Sequence, residues 1–119
     1  MPYLKITTSK SIDAGQKHNL LKAASKMVAS ELGKPEQYMM VSAESPLQML
    51  FAGTEEPCAF LELRGIELPE SKTGKLSQLL CGLLESQTGI RKDRVYINFT
   101  DIKPSMWGWN GETFQPHRT

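Results

Sequence analysis

Tyr3-Leu4-Lys5-Ile6-Thr7-Thr8 alternates strictly, with Leu4, Ile6 and Thr8 on one face and Tyr3, Lys5 and Thr7 on the other. That period of two predicts a half-buried strand. The spacing then changes. Over residues 13–32, Leu20, Leu21, Ala24, Met27, Val28 and Leu32 recur at steps of three and four, the stripe of an amphipathic helix. Asp13 followed by Gln16 predicts a capping box, and Gly33 a left-handed stop. Pro35 keeps the helix from resuming. Residues 38–44 predict a second strand.

The order then repeats. Residues 58–64 predict a strand and residues 71–88 a helix with Leu76, Leu79, Leu80, Leu83 and Leu84 as its stripe. Gly89 ends that helix, and residues 95–100 predict the last main strand. A β-α-β crossover makes its two strands parallel and right-handed. The fold class is therefore α+β: two β-α-β units forming a four-stranded mixed sheet with both helices on one face. The joining segment, residues 45–57, has room for a minor strand at Met49–Phe51, and residues 104–119 predict turns with one short strand. The uncovered face would carry Tyr3, Lys5, Thr7, Tyr96, Asn98 and Thr100, and either water or further copies of the chain could cover it.

With 119 residues the chain fits one domain, residues 1–119. Fourteen basic against thirteen acidic side chains leave a net charge of +1, which argues against nucleic acid as a partner. No apolar run approaches the ~20 residues of a membrane span, and the N-terminus lacks a signal-peptide pattern. The expected location is cytoplasmic, or secreted without a signal peptide. Cys58 and Cys81 are too few for a disulfide scaffold. His18 and His117 stand apart without acidic or cysteine partners at ligand spacing, so no metal and no cofactor is expected.

Pro2 is the residue with chemistry to offer. Removal of Met1 would leave a secondary amine there. An apolar setting or a neighbouring cation lowers the pKa of such an ammonium and makes a general base at neutral pH. The topology supplies both a site and a cation: Lys34 precedes the second strand at the same sheet edge, and Arg64, Gly65 and Ile66 end the third strand there. The structural alternative is a proline that opens an edge strand without wasting a donor.

Six segments in register carry a resemblance: Met1-Pro2, Leu32-Gly33-Lys34-Pro35, Glu56-Pro57-Cys58-Ala59, residues 79–85 (Leu-Leu-Cys-Gly-Leu-Leu-Glu), residues 93–98 (Asp-Arg-Val-Tyr-Ile-Asn) and residues 108–114 (Gly-Trp-Asn-Gly-Glu-Thr-Phe). With them the chain resembles the macrophage migration inhibitory factor family of the tautomerase superfamily; only residues 115–119 form an extra tail. The resemblance implies a homotrimer with active sites at subunit interfaces. It implies cofactor-free tautomerisation of small aromatic keto acids such as phenylpyruvate, or of dopachrome analogues, with Pro2 as the base. Lys34 would hold the substrate carboxylate and Ile66 a backbone contact. Tyr96 and Asn98 would come from the neighbouring subunit. Tyr38 would close one side, and Trp109 and Phe114 would line the rim or else simply anchor the tail. The other reading is a cytokine-like ligand of a cell-surface receptor with a vestigial pocket.

The departures from that family are specific. Cys58-Ala59-Phe60-Leu61 lacks the second cysteine of the Cys-x-x-Cys pair carried by many animal members, which removes a dithiol mechanism. Ile12 and Ser45-Pro46 stand where the animal cytokine has a basic and an acidic residue, which weakens the receptor reading. Arg64 and Trp107 would add a cation and an indole to the pocket wall.

Overall fold

A computed structural model describes residues 1–115. The strands are β1 (Pro2–Thr8), β2 (Met40–Glu44), β3 (Ala59–Ile66) and β4 (Val95–Ile102), and the helices are α1 (Ala14–Leu32) and α2 (Thr73–Thr88). The sheet order is β2-β1-β3-β4, with β1 parallel to β2, β3 parallel to β4, and β1 antiparallel to β3. This is the expected mixed sheet of two β-α-β units.

The alternation read in residues 3–8 sets the core. Leu4 and Ile6 face inward opposite Leu63 and Leu61, and all four are fully buried. Leu20, Ala24 and Val28 of α1, and Leu76, Leu80 and Leu84 of α2, close over them. The Asp13 carboxylate accepts from Gln16 N at 2.8 Å while the Asp13 N–H donates to Gln16 Oε1 at 3.1 Å, forming the capping box. Gly33 (φ 65°) and Gly89 (φ 78°) end the helices in the left-handed region, where a Cβ is penalised. The other sheet face is open and polar: Tyr3 hydroxyl meets Ser42 Oγ at 2.7 Å, and Arg64 pairs with Glu62 at 3.6 Å.

Local differences from the expected boundaries have identifiable causes. Residues 36–38 form a 3₁₀ turn, with Tyr38 N donating to Pro35 O at 3.1 Å, so β2 begins at Met40 and Tyr38 stands outside the strand. A second 3₁₀ turn, Glu70–Lys72, precedes α2. Strands β3 and β4 each run two residues beyond their expected ends at 64 and 100. The Met49–Phe51 strand is absent. Phe51 makes a single bridge to Thr54 around a turn whose central residues, Ala52 and Gly53, both have positive φ. The tail carries two short strands, β5 (Gly108–Trp109) and β6 (Glu112–Thr113), joined at Asn110-Gly111 with φ of 54° and 79°. Asn-Gly is the strongest short hairpin signal, so this hairpin was legible in the sequence. Cys81, set among the leucines of α2, is only half-buried at the edge of the core, whereas Cys58 is buried. Of the 115–119 tail only Gln115 is described; His117 lies outside the described residues. No helix among the described residues is long and apolar enough to cross a membrane.

Candidate active site

Pro2 opens β1 opposite Gly65 of β3, and its side chain is fully buried. Two clefts adjoin it. The first is narrow and lies between the α1 terminus and the end of β3, bounded by Leu32, Lys34 and the run Gly65–Pro69. Lys34 is fixed there because its N–H donates to Ala29 O at 2.9 Å across the Gly33 turn. Ile66, at 9% exposure, forms the opposite wall.

The second cleft has a volume of about 310 Å³ and is lined by Pro2, Tyr3, Tyr38, Met39, Met40, Trp107, Trp109 and Phe114 among others. Its aromatic rings are mutually ordered. Tyr38 meets Trp109 edge-on at 6.0 Å, and Trp109 stacks on Phe114 at 5.9 Å with planes 15° apart. Both separations lie in the attractive range for ring pairs. Phe114 N donates to Trp107 O at 3.1 Å and to Pro104 O at 3.2 Å, which holds the hairpin over the cleft. Trp109 and Phe114 thus flank a cavity and take no part in the buried core.

The electrostatics of this corner favour a neutral amine. Burial first, and the nearby Lys34 ammonium second, hold the Met1 amine below its ordinary value. A positive charge there loses hydration and is repelled by Lys34.

Tyr96 and Asn98 lie elsewhere in the same chain. Gly65 pairs with both Pro2 and Asp101, so Asn98 and Tyr96 sit three and five residues further down β4. At about 3.3 Å per residue and 4.8 Å per strand, Tyr96 is about 19 Å from Pro2. It is 62% exposed and Asn98 is exposed beside it on the open face. Arg64 also corrects an expectation. It pairs with Tyr3 at this edge of the sheet, but its guanidinium turns to Glu62 and lines neither cleft. Ile12 is 6% exposed, a core residue rather than a surface recognition position.

Arg94 has no counterpart in the sequence reading. It is 6% exposed, and its guanidinium donates to the carbonyls of Pro57 (3.0 Å), Glu56 (2.9 Å), Phe51 (3.2 Å) and Thr54 (3.4 Å). It also lies 5.0 Å from the Phe51 ring centroid, so one side chain fastens the second half of the joining segment, from Phe51 to Pro57.

A family profile described as macrophage migration inhibitory factor matches residues 1–115. The chain belongs to the macrophage migration inhibitory factor family. The family is part of the tautomerase superfamily. Macrophage migration inhibitory factor of Rattus norvegicus is 40% identical over 95 residues, covering 79% of this chain and 83% of the relative. The homolog of Brugia malayi is 38% identical over 118 residues, covering 96% and 99%. Among solved structures, the crystal structure of the family homologue from Prochlorococcus marinus superposes with a TM-score of 0.91 at 39% identity, covering 95% of this chain and 99% of that one.

Proposed function

We propose that this family member is a keto–enol tautomerase of small aromatic keto acids, with Pro2 as the base once Met1 is removed. The observation that carries the reading is a buried Pro2 at the junction of a lysine-bearing cleft and an aromatic one. Loss of Met1 moves the terminal amine to Pro2, into the same corner where burial and Lys34 already hold the Met1 amine below its ordinary value. The neutral amine takes a proton from the carbon next to the substrate carbonyl, the electron pair moves onto oxygen as the enol forms, and the ammonium returns a proton to oxygen. Lys34 binds the carboxylate, Ile66 contributes a backbone contact, and Tyr38, Trp109 and Phe114 enclose the aromatic ring. No cofactor enters this scheme.

The functional unit in this reading is a homotrimer. Among the described residues, strands β2 and β4 are both unpaired edges of the sheet. The open face and the exposed Tyr96 and Asn98 are then completed by neighbours, which brings those two side chains to another subunit's Pro2. Receptor recognition has less support, since Ile12 is buried.

The test compares protein whose intact mass lacks Met1 with protein that retains it, by enolisation of phenylpyruvate. The Met1-free form turns over and the retained form is slower by at least about a hundredfold, the contribution of a positioned base. Equal rates would remove Pro2 from the chemistry.

A further inference from the structure

One wall of the lysine cleft is a strap, Ile66 to Lys72, that runs from the end of β3 to the start of α2. Its second half is the 3₁₀ turn Glu70–Lys72, and its first half, Glu67–Pro69, has no regular structure. It begins with a sharp turn: Glu67 has φ 55°, a conformation that L side chains rarely adopt and that persists only where neighbours fix it. Burial of Ile66 and Leu68 supplies part of that fixation, and two side-chain hydrogen bonds add to it. At one end the Leu68 N–H donates to Asp101 Oδ1 at 3.0 Å, which ties the strap to β4 just after the strained residue. At the other end Lys72 donates from Nζ to the carbonyl of Glu31. That carbonyl is among the unpaired acceptors of the last turn of α1, where a cation is also favoured by the helix dipole. The turn Gly33-Lys34 follows directly. Lys72 N also donates to Pro69 O at 3.0 Å, so the strap is internally closed between its two ties.

The consequence is geometric. Lys34 and the wall Ile66–Pro69 belong to different β-α-β units, and the Lys72–Glu31 bond joins the strap that carries the wall to the helix end that carries Lys34. We propose that Asp101 and Lys72 are positioning residues that set the width of the cleft between Ile66 and Lys34. The proposal rests on the tautomerase reading and adds to it a determinant of carboxylate binding. Neither residue lines the lysine cleft. Both act on substrate affinity through Lys34 and the Ile66 backbone, and leave the Pro2 amine to do its chemistry.

The test is steady-state kinetics with phenylpyruvate on Met1-free protein. Lys72→Met and Asp101→Ala each raise KM about tenfold with kcat changed less than about twofold, the pattern of lost ground-state binding. Lys72→Arg keeps a cationic donor and Asp101→Asn keeps the acceptor oxygen, and both restore KM. The two independent ties guard against a variant that fails to fold, and melting curves on all four establish that the proteins compared are folded. Unchanged KM in folded Lys72→Met and Asp101→Ala, or a raised KM that neither conservative variant restores, overturns the proposal alone. A fall in kcat at constant KM overturns it equally. A Met1-free wild type that does not enolise the keto acid removes the tautomerase reading and the proposal together.

Discussion

The two β-α-β units share one architecture and use the same corner differently. In the first, the corner between the start of β1 and the end of α1 is lined by Pro2 and Lys34 and opens to two clefts. In the second, the matching corner between the start of β3 and the end of α2 is lined by Pro57, Gly89, Ile90 and Arg91. There Arg94 reaches in and binds the backbone carbonyls of the joining segment. One corner keeps its cation beside an amine that it repels, and the other spends its cation on carbonyls that it satisfies. Fold position alone does not make a site; what matters is whether the local cation has an acceptor.

The helices differ in the same spirit. The first is started by a capping box, whereas α2 has no side-chain cap and is led in by a 3₁₀ turn whose Lys72 serves the other helix. Lys10 likewise donates to Thr88 O at the end of α2. Each unit thus supplies a lysine to the helix terminus of the other.

Four substitutions break this contrast at different points. The largest expected effect is Pro2→Gly. Glycine leaves a primary amine without the ring in its pocket, and kcat/KM for phenylpyruvate falls about 10²–10⁴-fold, the range for a positioned acid–base group. Arg94→Ala strikes the other corner. It strands the carbonyls of Glu56 and Pro57 and lowers unfolding stability by about 3 kcal/mol in urea at fixed protein concentration, as polar partners are left unpaired. Because Arg94 lies outside both Pro2 clefts, folded variant retains turnover; loss of turnover in folded protein would contradict the separation of the two corners.

Lys34→Ala acts in two ways. It raises KM about tenfold through a lost charge-assisted contact to the carboxylate. It also moves the acid limb of kcat/KM to higher pH, because a cation that disfavours the Pro2 ammonium is gone and the amine is protonated over more of the range. A limb that moves to lower pH would contradict this sign. The smallest effect is Asp13→Ala, which removes the capping carboxylate at the end of the sheet opposite Pro2. It costs about 1 kcal/mol of stability with unchanged kcat/KM.

The main elements were legible because their patterns are local. The alternation of residues 3–8, the stripe from Leu20 to Leu32 and the two terminal glycines each dictate structure within a turn or a pleat. The juxtaposition of Pro2 with Lys34 and Ile66 also followed, since strand direction and pairing bring those ends together. What escaped was non-local or overlooked. Arg94 binds carbonyls that any residues could offer, about 40 positions away, so no side-chain pattern marks it. Lys72 does the same to Glu31. Arg64 stands beside Tyr3 at the expected sheet edge, yet its guanidinium turns to Glu62, a choice of partner that strand alternation allows and does not dictate. Tyr38 left its strand because Pro35 and the following turn satisfy its N–H before the ladder begins.

The central claim is that burial and Lys34 in this corner lower the pKa of a terminal proline amine. Titration of the ¹⁵N-labelled Pro2 amine by NMR in Met1-free protein measures it directly, alongside a peptide bearing the same exposed N-terminal proline. The expected result is a pKa below that of the peptide, and a rise toward it in Lys34→Ala. A Pro2 amine that titrates with the peptide, unaffected by Lys34, would contradict it.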